Sequence, residues 1–579
     1  MSKSTDITVA ATQPLAEKAM VGGAYEGASR ISREAALWAP PIRSADGDIR
    51  GEKTLLDARG RDMARNEPYI AGAVDINKDS IVGGSYMLNA KPNWKVLKDT
   101  SKGFDEKWAE EFQEIAEAKF TLYAESPDNW LDAGRTMTFT GMIRLGIGVF
   151  TVGGEVLATA EWLRDVGRPY STAIQMVDLD RLSNPNGVQD DLRLRQGVQR
   201  NQFGAPQGYH IRMAHPGDRF VTFEQSRWKY VPIRKPWGRL QVIHIIDPDR
   251  PDQTRGVAKM VSALKEMRMA KKYHEITLQN AVVNATYAAA IESELPPEQA
   301  FAALGMDGAN EWIESYLDQI SEYTGSSRNL HIDGVKIPHL FPGTKLKLLN
   351  AGQPGGVGTV FEESLLRKIA AGLGVSYEQL ARDYSKTNYS SARAAMLETH
   401  KGMQAKKKMV ADRYASSIYS LWLEEALQMG ELPLPAGVKR DTFFYQGQNK
   451  DAICNAGWIG ANRGQIDELK ETQAAVMRIK AGLSTYEVET ARMGSDFREV
   501  FAQRAREDAL IESYGLDFNA DPSQGSAQGG EVKDAKKPGK DKGRLGPGKA
   551  NENQDTGSSE DDSDSEDSAV FPFMLIGEE

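Results

Sequence analysis

The 579-residue sequence has one cysteine, Cys454. That excludes a disulfide framework and fits assembly in a reducing cytosol. The thiol itself reads as a small buried structural side chain. Apolar runs fall short of the roughly 20 residues needed to cross a bilayer, and the N-terminus lacks a basic, apolar signal pattern. A soluble, unexported chain without membrane partners is therefore expected. There is no basic surplus either: the formal net charge of -10 argues against a conventional sequence-specific nucleic-acid binder. It does not argue against loose DNA contact, because residues 531–579 hold seven basic and thirteen acidic residues and the body is close to balance.

The usual catalytic patterns are missing as well. No Gly-x-x-x-x-Gly-Lys-Ser/Thr loop is present to cradle a nucleotide phosphate, so the chain is not a P-loop motor. Gly146-Ile147-Gly148 begins like a dinucleotide fingerprint, but Thr151 stands where the third glycine belongs, and a strand or bend containing glycine is the expectation. The seven histidines are scattered, and His274-Glu275 lacks the second histidine, four residues on, of a zinc-protease helix. No Gly-x-Ser-x-Gly elbow occurs, and nothing around Cys454 supports a thiol protease. Dense acidic clusters lie only in the tail. No enzyme is expected: no catalytic residue, no metal and no cofactor.

What the sequence does contain is mostly helix signal with short strands between, an α+β pattern whose length calls for several sub-domains. Residues 1–50 are rich in small residues and read as a flexible arm, with order beginning near Lys53. Asn66-Glu67-Pro68 offers an N-cap candidate and a first-turn proline for a helix that stops at Gly83-Gly84. Further helices are expected at 104–124 and 130–145. Short apolar runs such as Val149–Val152 and Leu240–Ile246 read as strands.

From Val257 to Val283 no glycine or proline interrupts the chain, predicting one continuous helix of about 40 Å. Its charges are lopsided: Arg255, Lys259, Lys265, Arg268, Lys271 and Lys272 against Glu266 and Glu275. They suit either a solvated face or one turned toward DNA or a neighbouring subunit. A small insert at 285–350 carries a helix at Asn310–Tyr323 between extended stretches. A returning helix runs from Thr359 to about Gly372–Gly374. The polar segment Asp383–Ser391 follows, with Ser390 or Ser391 suited to cap the next long helix, which has Lys406, Lys407 and Lys408 at its middle. A last helical region, 462–513, is broken at Gly482 and Gly494. Beyond 516 the composition predicts disorder, basic over 533–549 and then acidic over Asp555–Asp567. The closing apolar Val570–Ile576 suits either a docking peptide or a solvated end.

The order of these elements, with several collinear stretches, resembles the lambda family of phage portal proteins. The stretches are Arg65-Asn66 with Ile81-Val82-Gly83, Ser183-Asn184-Pro185-Asn186, Asp252-Gln253-Thr254-Arg255-Gly256, Ile291-Glu292-Ser293-Glu294-Leu295, Phe341-Pro342-Gly343, Leu365–Arg393 and Ala481–Glu487. Together they cover roughly residues 30–515, and both ends depart from the family.

The resemblance implies a portal fold assembled as a dodecameric ring. Its parts would be a wing at 51–254, a stem helix at 255–284 with Lys265, Arg268 and Lys272 on a basic face, and a small α/β clip at 285–350. The returning stem helix and tunnel loop would occupy 351–392, the tunnel helix and wing return 393–461, helical crown 462–515, and a charged tail 516–579. The loop residues Asp383, Tyr384, Ser385, Lys386, Thr387, Asn388, Tyr389, Ser390 and Ser391 would line a DNA channel at one capsid vertex, serving packaging, DNA retention, head-tail joining and ejection. Implied partners are non-specific double-stranded DNA, the terminase, the major capsid protein and scaffold, and a head-completion or adaptor protein. The expected location is the virion, after assembly in the host cytoplasm. The N-terminal arm would be trimmed near Val21–Ala24. A head-tail adaptor ring without a translocating channel is the alternative.

Overall fold

A computed structural model describes residues 37–287 apart from 219, residues 318, 330–332 and 335–337, and residues 357–514 apart from 463 and 465–467. The expected insert helix at Asn310–Tyr323, the tail and most of the arm lie outside the described residues. The chain divides into two units, 1–505 and 506–579. Of the second, the described part is the end of the last helix.

Helices α1 (Ala45–Ile49), α2 (Lys53–Asn66) and α3 (Pro68–Ile81) open the fold, and β1 (Met87–Ala90), α4 (Trp94–Leu97) and α5 (Glu106–Ala124) follow. Pro68 occupies the first turn of α3, as expected, but the N-cap is Glu67, whose side chain makes no capping bond. Helix α6 (Phe139–Gly153) is capped by Thr138 and ends at Gly154 in the left-handed region. Val149–Val152, read as a strand from its apolar run, is therefore the last turn of α6, and Gly146-Ile147-Gly148 lies in helix rather than in a strand or bend. A short buried run cannot separate the two by periodicity.

Strands β2 (Glu155–Trp162) and β3 (Thr172–Met176) come next, then β4 (Leu194–Arg195), β5 (Val198–Arg200), β6 (Pro206–Arg212), α7 (Thr222–Gln225), β7 (Trp228–Pro232) and β8 (Val242–Ile246). They build two antiparallel sheets, β3-β2-β8 and β4-β5-β6-β7. In the first, Glu155 pairs with Ile246 and Ala158 with Met176. A small core of Leu157, Val177, Leu179, Leu182, Val198, Tyr209, Ile211 and Val242 joins them.

A 3-10 turn, Lys259–Ala263, leads into α8 (Leu264–Tyr287), so the long helix expected from Val257 starts seven residues later. The hairpin β9 (Leu330–Ile332) and β10 (Val335–Ile337) is the described part of the insert besides residue 318. Helix α9 (Val357–Leu373) returns, α10 (Tyr377–Ala381) is closed by a Ser376/Gln379 capping box, and α11 (Tyr389–Lys406) follows. Through a π turn at Lys407–Ala411 it continues into α12 (Asp412–Met429). Short helices α13 (Arg440–Phe443) and α14 (Asn449–Ile453) precede β11 (Ala456–Ile459), which pairs antiparallel with β1. Helices α15 (Glu468–Lys480), α16 (Tyr486–Arg492) and α17 (Phe497–Ser513) end the described chain, with Gly482 and Gly494 at positive φ between them, as the sequence predicts.

Helix α12 is the spine of the main core. Trp422 and Tyr419 have no exposed surface and pack with Phe120 of α5, whose ring also meets Phe139 of α6 and Trp458 of β11 at 5.2–6.1 Å between centroids. Aromatic packing of this kind is worth about 0.5–1.5 kcal/mol per pair beyond area burial. It fastens a helix near residue 420 to helices about 300 residues earlier.

Candidate nucleic-acid interface

The helical hairpin of α8 and α9 closes by burying one stripe of each helix. Met267 and Ala270 of α8 join Leu366, Ile369 and Ala370 of α9 in the core. At its base a Cβ on Gly372 would lie 2.8 Å from Ala263, so only glycine lets the two segments approach this closely. Farther along, His274 and Glu362 meet at 2.7 Å, and the Tyr273 and Phe361 rings pack edge to face at 5.6 Å.

Lys265, Arg268 and Lys272 recur at three- and four-residue spacing and are exposed on one face of α8, away from the buried stripe. Among the described residues none of the three has an ion-pair partner. Two charges counted with them stand elsewhere. Lys259 pairs with Asp249, and Arg255 lies before the helix, fully enclosed.

The polar segment begins where Arg382 takes a left-handed conformation (φ 53°) after α10. Asp383 accepts a hydrogen bond from the Ser385 N–H at 3.0 Å, and the Thr387 N–H donates to the Tyr384 carbonyl at 3.1 Å. Ser385, through its hydroxyl and its backbone, holds the Asp383 carboxyl below its usual range. The cap of α11 is Asn388, which accepts from the Ser391 N–H at 2.8 Å and its hydroxyl at 2.9 Å. Neither Ser390 nor Ser391 is the cap. Asn388 outranks them because its carbonyl reaches the first free N–H groups. The loop therefore spans 382–388, and Tyr389, Ser390 and Ser391 form the first turn of α11.

Lys386 is the loop's one ammonium. Its side chain is 71% exposed and pairs with Glu363 of α9, which also accepts from Arg367 at 3.2 Å. The hydrogen bond from Lys386 holds the Glu363 carboxyl below its usual range. Glu363 and Arg367 are functional candidates that the sequence reading missed. Their four-residue spacing was visible, but the contact with Lys386, 23 residues on, has no sequence signal.

The segment leading into α8 rests on a buried ionic hub, also missed by the sequence reading. Glu155, with no exposed surface, receives Arg255 Nη2 at 2.6 Å, its Nε at 2.9 Å, the Gly256 N–H at 2.9 Å and His244 Nε2 at 3.1 Å, with Lys53 Nζ at 3.4 Å. Burial alone would raise this carboxyl. Arg255, Lys53 and His244 outweigh it and hold the group well below 4.5. Asp57, on the same lysine, is pushed up to about 6 by burial. Gly256 fits because a Cβ there would lie 2.1 Å from the Gly154 carbonyl oxygen. Nearby, Asp46 accepts from the Thr254 N–H and hydroxyl, both at 2.7 Å. The stretch from Asp252 to Gly256 thus joins the sheets to the segment leading into α8 by charge and close backbone contact.

Among the described residues one group of side chains has metal-ligating spacing, Asp178, Asp180 and His215. Arg61 already donates to Asp180 at 2.6 Å and lies 3.6 Å from Asp178, supplying a cation there. Cys454 is half-buried, and burial pushes its thiol up to about 12, so it is not a thiolate at neutral pH. Among the described residues no helix is long and apolar enough to cross a membrane.

The described chain is mixed helix and sheet, with helices α8 and α9 packed side by side and a polar loop after α10. The profile described as "Phage portal protein, lambda family" matches residues 31–407, and the chain belongs to that family. It is 38% identical over 497 residues to the portal protein of Escherichia phage N15 and to portal protein B of Escherichia phage lambda, covering 85% of this chain and 91% of each relative. It is 19% identical over 486 residues to a probable portal protein of Halomonas phage phiHAP-1, covering 83% of this chain and 85% of that one. Among solved structures it is similar to a chain in the neck of an empty GTA particle computed with C6 symmetry, with a TM-score of 0.39 and 13% identity, covering 79% of this chain and 95% of that one.

Proposed function

We propose that copies of this chain form a dodecameric ring at one capsid vertex, through which DNA is packed by the terminase, retained, and released after head-tail joining. The observation that carries this reading is the identity to portal proteins across most of both chains. In this reading the ring contacts the major capsid protein and scaffold during assembly and an adaptor protein afterwards, and it acts on DNA without chemistry of its own. Residues 51–254 serve as wing, 255–284 as outgoing stem, 285–350 as clip, 351–392 as returning stem and tunnel loop, 393–461 as tunnel helix and wing return, and 462–515 as crown.

The charge pattern supports a channel that slides rather than grips. Neutralising several phosphates per subunit would bind duplex DNA tightly and with steep salt dependence, and ring symmetry would multiply each contact. Here the loop's ammonium is matched by a carboxylate, and its hydroxyl and amide groups can touch phosphates without reading base edges. The exposed face of Lys265, Arg268 and Lys272 supplies a modest attraction along the stem.

Negative-stain microscopy of the purified full-length chain tests this. A perforated ring with twelve-fold averages is the expected result, and a compact monomer at all concentrations rejects it. A ring that supports head-tail joining while heads fill without it favours the adaptor alternative.

A further inference from the structure

We infer that Glu363 sets how strongly the 382–388 loop grips DNA, by holding Lys386 in an ion pair within the chain that a backbone phosphate must displace. This rests on the proposal that the loop faces the channel.

The geometry separates a fixed partner from a mobile one. The Glu363 side chain is 18% exposed, while those of Lys386 and Arg367 are 71% and 58% exposed. Arg367 in turn lies over the Tyr377 ring, 5.1 Å from its centroid, which keeps its guanidinium beside the carboxylate. The loop backbone is pinned at both ends, by the Asp383 turn and by the Asn388 cap. What can move is the Lys386 side chain, and it swings between Glu363 and whatever anion comes within reach.

Charge decides the consequence. Glu363 and Asp383 match Arg367 and Lys386 in charge, which leaves Arg382 as the loop's unmatched base. Exposed pairs of this kind hold weakly. A phosphate arriving at high local concentration can therefore replace Glu363, and the lysine returns once the phosphate has moved on. Each subunit then gives DNA a contact that costs a competing one, which keeps the sum over a ring small. Glu363 is a positioning residue in this scheme: it acts on DNA only through Lys386. Without it the Lys386 ammonium would lose its ion-pair partner in every subunit, leaving only the more distant influence of Asp383.

The test is equilibrium binding of a labelled blunt duplex to purified full-length rings, with the binding constant followed against salt. Wild type is compared with Glu363→Gln, Lys386→Ala and the double variant. Glu363→Gln is expected to bind more tightly at low salt, with a salt slope steeper by about 0.9 for each lysine newly placed on a phosphate. The double variant should lose the added slope of Glu363→Gln and fall to that of Lys386→Ala, because the glutamate's other partner, Arg367, stays over the Tyr377 ring. If Glu363→Gln overlays wild type while Lys386→Ala departs from it, the inference fails and the channel reading stands. If Lys386→Ala also overlays wild type, the loop does not touch DNA and both fall. A double variant as steep as Glu363→Gln overturns the route through Lys386. Should Glu363→Gln not assemble, Glu363→Asp shortens the reach and keeps the charge: a slope steeper than wild type is expected, and an unchanged one overturns the inference.

Discussion

Glu155 has no exposed surface and is surrounded by Arg255, Lys53 and His244, so its charge is matched locally rather than by solvent. Glu155→Gln would strand the buried Arg255, while Lys53 keeps Asp57 at 2.6 Å, and removing one partner of such a pair typically costs about 3–5 kcal/mol. Urea unfolding should show a loss of that size near neutral pH. The pH dependence has a definite sign. Because the folded carboxyl sits well below 4.5, its contribution is present above that value and is lost as pH falls toward the folded one. The substitution should therefore flatten the acid side of the stability profile. Asp57 acts oppositely: raised to about 6, it favours the fold in its neutral form, and that contribution is lost as pH rises through 6. At the loop, Lys386→Ala with Asn388→Ser keeps the helix cap and should leave rings intact while particles retain less DNA. Asn388→Ala should additionally lower stability by about 1 kcal/mol, read from thermal unfolding of the two variants side by side.

The long helix from Tyr389 to Met429 carries its π turn where one extra residue is accommodated. Lys407 and Asp412, five apart across that turn, meet at 2.7 Å, and Lys407 also reaches the Trp458 carbonyl at 2.8 Å. Removing Met409, which is 40% exposed, should convert the turn to regular α-helix and bring the pair to four-residue spacing. The protein should still unfold cooperatively, with a modestly lower midpoint. Deleting the enclosed Ala415 should instead rotate the rest of α12 by about 100° and turn Tyr419 and Trp422 out of the aromatic core. Circular dichroism melts of the two deletions distinguish these outcomes, and equal damage from both would contradict this account of the turn.

At the scale of the whole chain, charge is divided between a nearly balanced body and an acidic end, residues 531–579 holding most of the negative surplus. A segment of that composition adds little to a packed interface. Truncation after residue 515 is therefore expected to leave ring formation unchanged by size exclusion and microscopy. Monomers alone would show that the tail takes part in assembly, and intact rings that fail to bind a head or tail component would give it a docking role.

The sequence by itself determined the mixed helix-and-sheet class, several helix ends marked by glycine or proline, and the family, to whose lambda and N15 members the chain is 38% identical over 497 residues. Local chemistry suffices where one residue decides the backbone, as at Pro68, Gly482 and Gly494. It failed at Val149–Val152, where an apolar run fits helix and strand alike, and at Ser390 and Ser391, where Asn388 was the better acceptor one turn earlier. It placed Arg255 with the stem charges, although this side chain is enclosed against a carboxylate 100 residues before it. Only the tertiary structure decided which charges are paired. Glu363 with Lys386, Glu155 with Arg255 and Asp46 with Arg195 are contacts between separate segments of the sequence, and a linear pattern carries no record of distances that packing alone creates.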